Sequence, residues 1–331
     1  MIPEPYIALT DKQWFDFLSS RADASHGTPL VDEANFWFPN AQHPPKKLTP
    51  GQPVFLRLKS PHYAIAGVGF FTAFHLLNLQ DAWTFFGWRN GDSTFGAFHS
   101  RIRAYRVKAA GRPAALPADD LMQSPLGCLV LRAVELWPPS RWVPWGEAEG
   151  FHRNIQQGAT ERDPARVQQL LSLIGPSALV RDAEFGDQFR LVASDDRAWK
   201  EHAAQAVREG QGSFRLRLLD AYGSQCAITG EHTEPVLDAA HIQPYLGPAS
   251  NHVQNGLLLA KEFHTLFDRG YVTITPEHVV KVSTRLKADF ANGRRYYPYD
   301  GRPLAKLPRT ESLRPSAEAL EWHGKHVFLA G

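Results

Sequence analysis

Cysteine is nearly absent. The 331 residues hold two, Cys128 and Cys226, too few and too far apart for a disulfide framework or a four-thiolate zinc site. Both read as buried thiols. Long hydrophobic runs are also missing: the longest, such as Ala64 to Phe71, fall far short of the ~20 apolar residues of a membrane-spanning helix. Near the N-terminus stand Glu4 and Asp11, where a secretory signal would carry basic residues, so the expected location is the cytoplasm. Charge of one sign is scarce too. The 36 Lys and Arg oppose 34 Asp and Glu, and the resulting +2 does not by itself suggest a nucleic-acid partner. The small excess lies wholly within residues 200–331. The 25 Gly and 25 Pro are spread along the chain without repeat or low-complexity tract, and a chain of this length exceeds one ordinary core, so two domains are expected.

Patterning divides those domains. From Pro53 to Phe71, VFLRLK and YAIAGVGFF flank the turn residues SPH, the signature of two strands and a tight connection. Leu126 to Trp137 has the same strand character, whereas Ser93 to Val107 and Pro164 to Leu173 space their apolar residues as helices do. Residues 1–160 are therefore expected to mix strands and helices. Residues 161–205, with interleaved Asp and Arg, read as a solvated helical connector. The second domain, 206–331, opens with a helix from Phe214 to Tyr222. The fold class is α+β.

Hydrolysis of a phosphodiester needs a base, a cation to carry developing charge, and rigid placement of both. After Tyr222 the chain offers each. His241 stands where the apolar strand PVLDAAH becomes loop, so its imidazole can serve as a neutral base. Asn255 follows a polar loop and can bridge its carbonyls. His264 and Asp268 are four apart at helical spacing and can offer a nitrogen and an oxygen to one divalent ion, with Asp238 as a further ligand or an orienting carboxylate.

Taken together, CAITG at Cys226, LDAAHIQPY at Leu237, NGLLL at Asn255 and HTLFDRG at His264 strongly resemble the HNH endonucleases, a branch of the ββα-metal nucleases. The likeness spans Tyr222 to roughly Val282. It implies that His241 activates water, that Asn255 is the orienting middle residue, and that His264 is the third motif residue and a metal ligand. Many members place a ligand immediately before the base, where this chain has Ala240. The second ligand is then Asp268 or Asp238, and helical spacing to His264 favours Asp268. The resemblance also implies Mg²⁺, Mn²⁺ or another hard divalent ion; the paired CxxC zinc clamp of some relatives is absent. Downstream, Arg285, Lys287, Arg294 and Arg295 are candidate phosphate contacts or, equally, a solvated basic surface.

Aromatics crowd the first domain. NFWFPN followed by GQPVFLRLKSPHYAIAGVGFF is similar to the PUA superfamily of small β-barrels, which includes the EVE, ASCH and SRA groups, over roughly residues 30–155. Nuclease-fused members flip a modified base into an aromatic pocket. The resemblance thus implies a modification-dependent restriction enzyme acting on double-stranded DNA, with Asn35, Trp37, Phe38 and Trp83 as pocket candidates. A reader of unmodified sequence, a reader of another signal such as a small nucleotide, and a DNA binder with a decayed nuclease site are the alternatives. Cutting two strands with one site per chain makes a homodimer the expected assembly.

Overall fold

The computed structural model describes residues 4–22, 29–40, 45, 48–111, 122–152, 154–155, 157–174, 191, 211–245 and 248–331. The chain divides into two compact units, residues 1–183 and 184–331. In the first unit the order is β1 (Tyr6–Thr10), α1 (Lys12–Arg21), β2 (Leu30–Phe38), β3 (Pro53–Leu58), β4 (Ala64–Leu77), α2 (Leu79–Phe86), α3 (Phe95–Ala109), β5 (Leu126–Leu136), β6 (Val143–Pro144), β7 (Gly158–Thr160) and α4 (Pro164–Ser172).

These strands form one mixed sheet in the order β2-β5-β4-β3-β1-β7, with β6 added to β4. β1 runs parallel to β3, and the remaining pairs are antiparallel. The apolar runs flanking SPH become the β3–β4 pair, and the run from Leu126 becomes β5, as their patterning predicts. Every residue of β3 is buried, the near-continuous apolar run of a strand covered on both faces. Arg57 is its exception in kind. The expected barrel is not closed: no pairing among the described residues joins β2 to β7, and the three residues of β7 offer little edge to pair.

The helices lock onto this sheet through local signals. Asp11 caps α1 by accepting the Trp14 N–H at 2.9 Å, an interaction worth ~1 kcal/mol. α1 then buries Trp14, Phe15 and Leu18, and Trp14 meets Phe36 edge-on at 5.4 Å. Thr94 caps α3 in the same way. α4, capped by Asp163 with Pro164 in its first turn, drives Leu170 into a core of Ile7, Phe55, Ile65, Val68, Trp137, Trp145 and Phe151. Most of the remaining connector, from residue 175, lies outside the described residues.

The second unit contains α5 (Gln211–Tyr222), β8 (Leu237–His241), β9 (Gly256–Ala260), α6 (Lys261–Asp268), β10 (Val272–Ile274), β11 (Val280–Val282), α7 (Arg285–Phe290) and α8 (Ala317–His326). β8 and β9 pair antiparallel from Leu237↔Ala260 to His241↔Gly256, and α6 starts directly after β9. This is a ββα unit. Gly270 ends its helical turn at φ 75°, where a Cβ would lie 2.1 Å from the Val327 carbonyl oxygen, so only glycine fits. Among the described residues, no helix is long and apolar enough to cross a membrane.

Candidate active site

His241 closes β8 and is buried, with 8 % of its surface exposed. The Phe214 ring from α5 stacks on its imidazole, with centroids 4.2 Å apart and planes at 15°, and Tyr245 approaches edge-on. His241 Nε2 lies 2.9 Å from Asn251 Oδ1. An amide oxygen only accepts, so this nitrogen carries the proton and Nδ1 keeps the basic lone pair. α5 holds both neighbours, because Arg217 Nη2 donates to the Asn251 carbonyl at 2.8 Å. The stacking also explains one motif glycine. Gly256 faces His241 across the hairpin, and a Cβ there would stand 2.7 Å from Phe214 Cζ.

Asn255 is wholly buried. Its Oδ1 accepts the Gln243 N–H at 2.8 Å, and its Nδ2 donates to the carbonyls of Gln243 and Ser250, each at 2.9 Å. The backbone adds a fourth tie, Ile242 N–H to the Asn255 carbonyl at 2.9 Å. One side chain thereby ties together the loop that leaves His241.

His264, on α6, lies between two carboxylates: Nδ1 is 3.5 Å from Asp238 Oδ2 and Nε2 is 3.3 Å from Asp268 Oδ2. Burial alone would lower its pKa, but the two carboxylates together outweigh that and raise it. The two nitrogens face opposite ways across the ring, so Asp238 and Asp268 cannot share one ion with this imidazole. Consistent with that, no group of three or more His, Cys, Asp or Glu side chains converges on one point among the described residues. A nitrogen and one carboxylate, both open in part to solvent, fit a hard divalent ion that retains several waters. Cys226 takes no part in such a site. Its buried sulfur accepts the N–H groups of Thr229 at 3.4 Å and Ala260 at 3.2 Å, tying the CAITG turn to the start of α6.

The four downstream basic residues are all exposed. Arg285 pairs with Asp289 at 3.2 Å and Arg295 with Glu262 of α6 at 2.9 Å. Lys287 and Arg294 make no ion pair among the described residues. Phe214 and Asn251 were not legible as site residues in the sequence; the signals were an aromatic on the preceding helix and a second asparagine four positions before Asn255.

In the first unit, Trp37 and Phe38 line a cavity of about 190 Å³ together with Asp11, Trp14, Phe36, Lys59 and Tyr105. Tyr105 Oη donates to Asp11 Oδ2 at 2.5 Å. Trp37 meets the Tyr105 ring edge-on at 5.5 Å and donates its indole N–H to the Asn90 carbonyl. The other two sequence candidates are not part of this wall. Asn35 is buried and donates to Asn90 Oδ1 and Cys128 Sγ, and Trp83 packs against Phe95 and Phe98 between α2 and α3.

Residues 226–275, which hold the ββα unit with histidines on its strand and its helix, match the HNH endonuclease family. That segment is similar to an HNH endonuclease domain over those residues. A phosphoadenosine 5′-phosphosulfate reductase from Synechococcus sp. is 31 % identical over 151 residues, covering 44 % of this chain and 59 % of that protein. This chain thus spans about three fifths of that relative's length. Among solved structures, an ASCH protein from Zymomonas mobilis is similar at a TM-score of 0.32 and 11 % identity, over 51 % of this chain and 95 % of that one. The modification-dependent TagI restriction endonuclease is similar at 0.25 and 14 % identity, over 88 % of this chain and 74 % of that one.

Proposed function

We propose that this protein is a modification-dependent endonuclease that cuts double-stranded DNA. The observation that carries the nuclease half is the placement of His241 and His264 on one ββα unit, with the base stacked on Phe214 and a carboxylate at each nitrogen of His264. In this reading His241 Nδ1 takes the proton of the attacking water, while Asn251 fixes the ring's tautomer and Phe214 its plane. Asn255 keeps the loop, and so the base, in place. His264 and Asp238 hold a divalent ion, Mg²⁺ or Mn²⁺, and Asp268 orients the imidazole from its other side. When bound, such an ion neutralises charge on the cleaved phosphate.

Asp238 is preferred to Asp268 because it stands on the same strand as His241, three residues before the base, whereas Asp268 lies at the far end of α6. The aromatic cavity of the first unit is the pocket for a flipped base. Trp37 and Phe38 supply ring faces there, and Asp11, Tyr105 and Lys59 supply the polar edge. Two chains, each cutting one strand, give the double-strand break. Cleavage of matched DNAs from modified and unmodified hosts tests both halves. Cutting of the modified DNA alone, lost in EDTA and in His241→Ala, is the expected result. Equal cutting of both DNAs would overturn the modification dependence, and no cleavage of any DNA with Mg²⁺ or Mn²⁺ would overturn the nuclease.

A further inference from the structure

A second cavity in the first unit, of about 410 Å³, is lined by Arg57, Lys59, Ser60, Tyr63, Phe151 and His152 among others. Arg57 is the anomaly in its wall. It lies on the fully buried strand β3 and is itself only 5 % exposed. Its guanidinium is placed over the rings of Phe151 at 4.4 Å and Tyr63 at 5.3 Å, and its Nε donates to the Trp145 carbonyl at 2.5 Å. Among the described residues it makes no ion pair. Arginine is almost never buried without one, because desolvating a cation costs several kcal/mol. Burial accordingly lowers its pKa, and Tyr63 and Glu149 offset only part of that effect. Glu149 does so without an ion-pair contact, its Oε2 accepting the Gly146 N–H instead.

The same wall carries a second positive charge, which Asp11 reaches through space without an ion-pair contact. Lys59 makes no ion pair and no side-chain hydrogen bond among the described residues; its ammonium stands 5.5 Å over the Tyr105 ring. Ser60 and His152 add donors, and among the described lining residues Glu147 is the single carboxylate. A buried guanidinium fork and an ammonium-bearing side chain lining one cavity make a donor set suited to an oxyanion. The position of the cavity narrows the class of anion. Lys59 and Leu9 line this cavity and the aromatic one alike, so an anion here adjoins a ring-sized slot.

We propose that the Arg57–Lys59 cavity binds a nucleotide phosphate, either the phosphodiester flanking a flipped base or the phosphate of a free nucleotide. The choice of a nucleotide rests on the aromatic cavity being a base pocket; the anion site itself rests on Arg57 and Lys59.

The test uses the full chain in Ca²⁺ without Mg²⁺ or Mn²⁺, with fluorescein-labelled duplexes, modified and unmodified, and with inorganic phosphate and dCMP as competitors. Arg57→Met keeps an unbranched apolar side chain beside Phe151 and Tyr63, and Lys59→Gln alters an exposed side chain that the two cavities share; His152→Gln, which alters an exposed side chain of this cavity alone, decides the matter if Arg57→Met does not fold. Lys59→Gln and Arg57→Met are each expected to weaken duplex binding by about tenfold and to lower the slope of log K against log salt by about 1. Competition by phosphate or dCMP that these variants abolish supports the site with a free phosphate as its ligand. Loss of duplex affinity without such competition supports it with the strand phosphodiester as ligand. Folded variants with unchanged affinity and salt slope for every probe overturn it. The two readings fail separately. A wild-type protein that does not distinguish the duplexes, with variants that bind both less tightly, removes the modification reading and leaves the anion site. Discrimination retained with full affinity in the variants does the reverse.

Discussion

Asp238→Asn and Asp268→Asn, made singly, separate the carboxylate proposed to share an ion with His264 from the one proposed to orient its ring. The two contacts are nearly the same length, 3.5 Å and 3.3 Å, so distance does not choose between them. As ion pairs they are weak: the carboxylate side chains are 37 % and 49 % exposed, and such pairs contribute about 1 kcal/mol or less to stability. Neither asparagine should move the melting temperature appreciably. Activity should respond unequally. Losing an ion ligand removes part of the several kcal/mol that a bound cation gives the transition state; a loss of about 3–4 kcal/mol is a fall of roughly 10²–10³ in rate. Losing a carboxylate that orients a ligand typically costs about 10–100-fold. Nicking of supercoiled plasmid, followed across a Mn²⁺ titration, should therefore show Asp238→Asn as the slower variant, recovering in part as Mn²⁺ rises. A slower Asp268→Asn would reverse the assignment, and full activity in both variants would refute an ion held at His264.

His241→Ala should lower the nicking rate by about 10²–10⁴, whereas Asn251→Ala, which removes the hydrogen bond to His241, a neutral one of about 0.5–1.5 kcal/mol, should lower it about two- to tenfold; equal losses would contradict the division into base and positioning residue. Asn255→Ala deletes three buried hydrogen bonds and should destabilise the second unit by about 2–4 kcal/mol in urea unfolding; an unchanged midpoint would show that the loop does not depend on the clamp. His323 is stacked on Phe267 at 3.7 Å, shares a 2.8 Å hydrogen bond with Thr273 and donates Nε2–H to the Phe267 carbonyl, and burial pushes its pKa down to about 4. Because the fold lowers this pKa, its contribution is complete above the unfolded value near 6.5 and is lost as pH falls from there towards 4, up to about 3 kcal/mol. Urea titrations at pH 7 and pH 4.5 should show that loss in the wild type and a smaller one in His323→Gln, and identical losses would exclude His323 as the source.

Much of the active site was legible because its signals are local. The short apolar runs bounded by turn residues gave β3, β4 and β5, and the 3.6-residue spacing gave α3 and α4. The motif blocks around His241, Asn255 and His264 carry the resemblance to the HNH family in the sequence alone, since one hairpin and one helix hold all three. Helical spacing likewise brings Asp268 to His264, four residues apart on one face.

Contacts across pairing or packing were not legible. Asp238 is 26 positions from His264 and reaches it only because β8 pairs with β9 and α6 packs back on β8. Phe214 and Gly256 look unrelated in the sequence until α5 covers the hairpin and the ring takes the space a Cβ would fill. Trp37, Phe38, Asn35 and Trp83 were equivalent as members of an aromatic-rich region; tertiary packing gave two of them a cavity wall and the others to the core and an interhelical contact. Barrel closure depends on which edge strands meet, a long-range choice that alternation along a strand does not encode. Arg57 is the plainest case. By sequence it is one charge in an apolar strand, and only the fold, by burying it against a cavity with no ion-pair partner among the described residues, gives that charge the setting of the proposed anion site.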